Sequence, residues 1–271
     1  MDTSTFNGFR ELIYAHSGIT LGPNKEALVS SRIGKRMRVL RLEDPREYLH
    51  RVKEDAAGNE IVYLLDAIST NVTSFFRESR HFDLLRELAE KWYAAGQRRF
   101  RIWCAASSSG EEPFSIAITL REAMPCDEMD VRILATDIST QVLETGRHAV
   151  YPQDRIESVP ETLRNKYFQS LKTQTGCTWR VNAEVRALVE FRRLNLMDRF
   201  DFKSTFPLIF CRNVMIYFDR LTQADLVRRL GGILQPGGYL FVGHSESLAG
   251  IDHCLEYLEP AIYRKPERRG Q

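Results

Sequence analysis

The stretch that most limits what this chain can become is Phe100–Ser115, FRIWCAASSSGEEPFS. Phe100, Ile102 and Cys104 alternate with Arg101 and Trp103, which predicts a short strand buried on at least one face. Ala105 to Gly110 then carries almost no side-chain volume, so a ligand can approach the backbone closely there. Pro113 suits the first helical position, where its missing N–H goes unused. Phe114, Ile116, Ala117, Ile118 and Leu120 supply the apolar side of the helix that follows.

A strand, a small-residue loop and a helix N-terminus make the nucleotide-type pocket of an open α/β sheet. The loop departs from G-x-G-x-x-G, with a single glycine, and from the phosphate loop, with no Gly-Lys-Ser/Thr. Glu111 and Glu112 at the helix entrance would repel a pyrophosphate, and they suit hydroxyls, an amine or a positive charge. These features favour a nucleoside cofactor without phosphate. S-adenosylmethionine, with its ribose, ammonium and sulfonium, fits. An ordinary β–α turn with solvated glutamates is the plainer alternative.

Around this centre, 271 residues allow one large domain or two smaller ones. A net charge of +2 does not by itself imply nucleic-acid binding. Five dispersed cysteines (Cys104, Cys126, Cys177, Cys211, Cys254), with no C-x-x-C, read as free thiols in a reducing compartment. The opening MDTSTFNGFRELI has neither a basic n-region nor a long apolar run, and no later segment suits a bilayer, so a cytoplasmic protein is expected. No metal site is expected.

Residues 1–70 read as an all-α unit. Phe6, Phe9, Leu12 and Ile13 mark a first helix stopped near Gly18, and Pro23 opens a second through Leu28, Ile33, Met37 and Leu40. Asp44-Pro45 starts a third, and Asn59 is placed to cap a fourth. The second helix carries Lys25, Arg32, Lys35, Arg36, Arg38 and Arg41 against the single acid Glu26. Such a run is either a solvated face or a docking surface for an acidic helix.

Residues 71–271 read as the α/β unit. A helix through Phe82, Leu85, Leu88 and Trp92 leads to the first strand, and Val131–Thr136 forms a second that ends in Asp137. An acid there either grips ribose hydroxyls or caps the helix from Ser139; its pairing with the preceding loop favours the ribose. Pro160–Phe168 suits a helix, and short β-like runs at Thr178–Val181 and Val185–Phe191 suggest a small antiparallel insertion over 172–191, outside the main sheet. Pro207–Cys211 is a buried strand, Leu221–Leu234 a helix, and Tyr239–Val242 a further strand followed by the Gly243–Glu246 loop. Strands alternating with helices predict a mainly parallel, doubly wound sheet.

Three motifs together resemble the CheR family of chemotaxis receptor methyltransferases: Trp103–Ser115, Thr70–Glu78 (TNVTSFFRE) and Phe210–Phe218 (FCRNVMIYF). Ser107 stands where that family suggests a cysteine or alanine, another small residue. The resemblance implies a Rossmann-like class I methyltransferase sheet with a small antiparallel β insertion, preceded by an all-α domain. It implies S-adenosylmethionine as cofactor, S-adenosylhomocysteine as product, and methyl esterification of glutamates on chemoreceptor cytoplasmic helices. It places Asn71, Thr73 and Arg77 at the cofactor or methyl-transfer site, with Ala105 in the cofactor loop. One or both of Glu111 and Glu112, with Glu112 favoured, would hold the methionine or ribose part, and Asp137 the adenosine. Asn195, Leu196, Arg212 and Asn213 would line the remaining edges, with Tyr217 beside the methyl and opposite Arg77.

A glutamate carboxylate, with an ordinary pKa of about 4.3, is already ionised at neutral pH, so no general base is required. Arg77 is the natural clamp for such a nucleophile, holding one oxygen while the other attacks. Receptor docking is assigned to Arg32, Lys35, Arg36 and Arg38 on the basic helix. Some family members also add a receptor C-terminal peptide to the β insertion; the turn after Leu171 has one glycine where a glycine-rich one is expected, which leaves that tether open. A small-acid methyltransferase, a non-catalytic cofactor sensor and a nicotinamide enzyme are the competing readings. The basic helix and β insertion disfavour the first, the retained Arg77, Tyr217 and acids the second, and the missing glycines the third.

Overall fold

Local signals account for most of the first four helices: α1 (Thr3–Ser17), α2 (Glu26–Leu40), α3 (Pro45–Glu54) and α4 (Asn59–Ile68). The computed structural model describes residues 1–125, 128–173 and 176–267. The Asp2 carboxylate accepts the Thr5 N–H at 2.9 Å to cap α1, and Gly18 ends it in the left-handed conformation at φ 70°. Asp44 caps α3 through the Arg46 N–H. At α4 the expected cap moves: Asn59 is already helical, and the Asp55 carboxylate accepts the Glu60 N–H at 2.6 Å. Gly58, at φ 70°, turns the chain so that Asp55 can reach back. Phe9, Ile13, Val29, Ile33, Tyr48 and Leu64 are fully buried between these helices. Each such side chain is worth about 1.5–3 kcal/mol of burial.

The α/β part runs α5 (Arg80–Ala94), β1 (Arg99–Cys104), α6 (Glu111–Ala123), β2 (Asp130–Asp137), α7 (Thr140–His148), β3 (Val150–Pro152), α8 (Gln153–Ile156) and α9 (Glu161–Tyr167). It continues with β4 (Phe168–Thr173), β5 (Gly176–Val181), α10 (Ala183–Arg186), β6 (Val189–Arg193), β7 (Phe206–Phe210), α11 (Arg220–Ile233), β8 (Leu234–Phe241), β9 (Glu256–Glu259) and β10 (Ile262–Arg264). Seven strands form one sheet in the order β6-β2-β1-β7-β8-β10-β9. The first five are mutually parallel, β10 pairs antiparallel with β8, and β9 pairs antiparallel with β10, giving the expected Rossmann-like sheet. The chain leaves β1 for β2 on one side and returns to β7 on the other, so the strand order reverses beside β1. Ligands of open α/β sheets bind outside the strand ends at such a point.

The small antiparallel sheet is present but lies elsewhere than expected. It is β3-β5-β4, assembled from 150–152, 168–173 and 176–181, so Thr178–Val181 belongs to it as expected, while the run placed in the insertion at Val185–Phe191 becomes α10 and β6. β6 pairs parallel with β2, Phe191 opposite Ala135, and so is the edge of the main sheet. Its alternation has one buried-side set, Phe191 packing on Phe114, which a local pattern cannot assign to one sheet or the other. The helix α6 starts at Glu111, two positions before Pro113, which is harmless because N–H groups in the first turn have no helical acceptor. Strand β8 also starts earlier than expected, running through Pro236-Gly237-Gly238 by a register shift against β7.

The helical unit is fastened to the sheet. The Thr20 N–H donates to the Tyr217 carbonyl at 2.8 Å and the Tyr14 hydroxyl to Asp219 at 2.7 Å. Asp66 of α4 accepts the N–H and hydroxyl of Thr140 at 2.7 and 2.6 Å, capping α7. Among the described residues no helix is long and apolar enough to cross a membrane. Cys104, Cys177, Cys211 and Cys254 are free thiols; Cys126 and the turn residues 174–175 lie outside the described residues.

Candidate active site

A cleft opens at the C-terminal ends of β1, β2 and β7, roofed by the 17–21 segment and by 69–73. Its floor is the β1–α6 loop, held by the Ala105 N–H on the Phe210 carbonyl and the Ser107 N–H on that of Thr136. Gly110 closes the loop at φ 100°, and a Cβ there would sit 2.8 Å from the Tyr151 hydroxyl. A side chain at this position is therefore excluded both by conformation and by space.

Asp137, at the end of β2, faces the cleft while one oxygen accepts the Ser108 N–H at 2.9 Å and the other the Ser139 N–H at 3.0 Å. It thus ties the two loops that flank the cofactor side of the cleft. Burial pushes its pKa up, and the N–H groups of Ser139, Ser108 and Ile138 only partly oppose this.

The opposite end is built around Arg212, which is 4% exposed. Its Nη1 donates to Glu112 at 2.5 Å, its Nη2 to the Arg77 carbonyl at 2.6 Å, and Nη2 also lies 2.9 Å from Glu78. Burial opposes this charge, but Glu112 and Glu78 more than offset it and raise the pKa above the ordinary arginine value. The other Glu112 oxygen accepts the Cys104 thiol at 3.1 Å. Glu78 is held below the ordinary carboxylate range by Arg212, against the effect of burial.

Arg77 sits between two residues in left-handed backbone conformation, Phe76 at φ 53° and Glu78 at φ 58°. Such strain persists only where the surroundings over-determine it. Here Ser115 accepts the Phe76 N–H at 2.9 Å, Arg212 takes the Arg77 carbonyl, and Asn213 donates to Glu78. The Arg77 side chain remains partly exposed on the cleft wall, with one donor on the Val72 carbonyl. The loop that carries Arg212, Asn213 and Tyr217 is in turn gathered by buried Glu246, which accepts the N–H groups of Asn213, Met215, Ile216 and Gly243.

These donors and acceptors suit a nucleoside bearing cationic groups. Carboxylates stand at both ends of the cleft, apolar side chains such as Ile138, Leu194 and Leu196 line its middle, and no glycine-rich phosphate cradle is present. Comparison with known proteins gives the same reading. The family described as CheR methyltransferase, SAM binding domain, matches residues 71–263, and CheR methyltransferase, all-alpha domain, matches residues 4–69.

The chain belongs to the CheR methyltransferase family.

A chemotaxis protein methyltransferase of Borreliella burgdorferi is 40% identical to it over 263 residues, covering 94% of this chain and 92% of that protein. Chemotaxis protein methyltransferase 2 of Pseudomonas aeruginosa is 40% identical over 259 residues, covering 95% and 91%. That of Escherichia coli is 36% identical over 260 residues, covering 95% and 89%. This CheR chain is thus an S-adenosylmethionine-dependent methyltransferase of the chemotaxis type.

Of the residues singled out in the sequence, Asn71, Thr73, Arg77, Ala105, Glu112, Asp137, Asn195, Leu196, Arg212, Asn213 and Tyr217 all line this one cleft. Glu111 does not. It is 1% exposed and turned away, accepting from Ser109 at 2.7 Å and Arg155 at 3.3 Å, and burial raises its pKa. Consecutive helical residues project about 100° apart, so only one of the pair can face the cleft.

The basic helix is also divided. The guanidinium of Arg32 donates to the Ser69 carbonyl and to the Thr70 hydroxyl, finishing the C-terminal end of α4. Arg36 makes a two-pronged pair with buried Glu60 and lies 3.6 Å over the Tyr63 ring. Of the four cations assigned to docking, Lys35 and Arg38 are exposed on α2. Sequence reasoning missed Glu78, Glu246 and the roof from Ser17 to Leu21. Glu78 had a signal, standing beside Arg77 inside a quoted motif; the roof had none.

Proposed function

We propose that the chain methyl-esterifies glutamate side chains on the cytoplasmic helices of chemoreceptors, acting in the cytoplasm. The observation that carries this reading is that Arg77 and Tyr217 share a cleft with Glu112 and Asp137. S-adenosylmethionine, when bound, supplies a methyl group on a sulfonium that a carboxylate oxygen can displace. Asp137 would accept from the ribose hydroxyls and Glu112 would face the positively charged methionine end. Asn71, Thr73, Ala105, Asn195, Leu196 and Asn213 would shape the remaining walls, while Arg212 orients Glu112. Arg77 would hold one oxygen of the incoming glutamate, leaving the other free. Tyr217, whose carbonyl is tied to Thr20, would set the carboxylate against the methyl. The helical roof would exclude water from a step in which opposite charges are neutralised.

The division near residue 70 is part of the same proposal: residues 1–70 roof the cleft and meet the receptor, and 71–271 bind cofactor. Of the four cations assigned to docking, the exposed Lys35 and Arg38 would meet an acidic receptor helix. The outer edge of β4 in the small sheet is open to a receptor C-terminal strand. Incubation with methyl-labelled S-adenosylmethionine and receptor-bearing membranes tests the whole reading. Base-labile label on receptor glutamates is expected; label confined to small molecules would reject it.

A further inference from the structure

Beside the Arg212 loop, two histidines outside the lining of the cleft meet a carboxylate. Glu78 lies just before α5, His81 in its first turn, and His244 just after β8. Their ligand atoms all lie within 4.8 Å of one another. His81 Nδ1 is 3.6 Å from Glu78 Oε2, and His244 Nε2 is 3.9 Å from the same oxygen. His81 is the anomaly. It is fully buried, stacked on Phe241, and neither ring nitrogen makes a hydrogen bond of ordinary geometry, the Ala261 backbone offering only a poorly aligned one. A buried polar atom left in this way calls for a reason, and an ion is one.

We propose that Glu78, His81 and His244 form a binding site for a divalent transition metal of the zinc type, whose occupancy inhibits methyl transfer. Two imidazoles and one carboxylate are a zinc-type donor set with a fourth position left for water. Tetrahedral bonds of about 2.0–2.1 Å require ligand atoms roughly 3.3–3.4 Å apart. The two Glu78–histidine spacings need to close by a few tenths of an ångström, and the two imidazoles, which lie within 4.8 Å of each other, close the rest through the exposed His244 side chain. Half-exposed His244 gives the ion its entry path.

The inhibition follows from competition for one oxygen. Glu78 Oε2 faces the Arg212 guanidinium at 2.9 Å and the His244 N–H at 3.2 Å. A cation on that oxygen repels Arg212, which keeps Glu112 and the Arg77 carbonyl as its remaining partners. The strained turn around Arg77 then loses one of its ties.

The test is titration of Zn²⁺ into the metal-free full chain by calorimetry, with Co²⁺ absorption as a direct report of low-coordinate nitrogen and oxygen ligation. One-to-one binding is expected, with methyl transfer falling in step with occupancy. His244→Ala should bind about tenfold or more weakly and resist zinc, while keeping its methyl transfer in chelator. This variant also separates the site from the exposed His50–Glu54 and His148–Glu144 pairs. No saturable binding, an octahedral cobalt spectrum, or unchanged affinity in His244→Ala would overturn the site. Saturation without loss of activity would overturn the inhibition. Binding is read without any receptor, so its failure is distinguishable from failure of the proposed substrate.

Discussion

Arg212 donates to Glu112 at 2.5 Å across a hundred residues of chain, joining the tip of β7 to the first turn of α6. The pair is buried, and stripping two charges of water costs several kcal/mol per ion unless other bonds satisfy them. The Arg77 carbonyl, Glu78 and the Cys104 thiol supply those bonds. Cofactor wall and proposed glutamate clamp are therefore parts of one braced network.

Replacing Arg212 by Met should expose this dependence. Buried Glu112 and partly buried Glu78 would lose their counter-charge, a loss of about 3–5 kcal/mol in stability, with cofactor affinity falling as well. Denaturant unfolding and calorimetry check the two effects; an unchanged unfolding midpoint would contradict the network.

Asp137→Ala should weaken S-adenosylmethionine binding by roughly 10–100-fold, the value of about 1.5–3 kcal/mol for hydrogen bonds to a charged group. Unchanged affinity by calorimetry would remove Asp137 from the site.

The same residue sets a pH dependence. Burial raises the Asp137 pKa, so acidification protonates it above the ordinary aspartate range. Ribose hydroxyls donate to the ionised form. Affinity should therefore be full above the raised pKa and fall as pH drops through it, a loss absent from Asp137→Asn. A flat wild-type profile down to the ordinary aspartate range would exclude this link.

Arg77→Ala should lower kcat by about 100-fold, as expected for removal of one preorganised donor, with little change in cofactor affinity. Single-turnover methylation separates the two quantities. Wild-type turnover would reject the clamp.

The basic helix should divide along the line its contacts draw. Arg36→Glu places two acids together at the Glu60 pair and should cost about 3 kcal/mol of stability, seen in Tm. Lys35→Glu with Arg38→Glu should leave Tm and cofactor affinity unchanged and slow receptor methylation, most of all at low salt. Equal methylation at all salt concentrations would move the docking surface elsewhere.

Much of this architecture is written locally. The alternation of Phe100, Ile102 and Cys104, the volume-free loop and the acid ending β2 each depend on neighbours a few residues away, and all take the expected form. Capping by Asp44 and the stop at Gly18 are equally local. The long motifs around Arg77, Glu112 and Tyr217 carried the family, and with it the cofactor.

Other choices had no local signal. Glu111 and Glu112 are indistinguishable as neighbours in sequence, and the phase at which α6 packs on the sheet turned one to the cleft and buried the other. The partners of Arg32 and Arg36, and all but one of those of Glu246, come from distant segments. β6 joined β2 because a strand's alternation names its buried face without naming the sheet that covers it. Residue type and period act over one or two turns of chain, and they determined the elements and the chemistry. Which side chain meets which was decided by packing, because burial rewards contacts irrespective of their separation along the sequence.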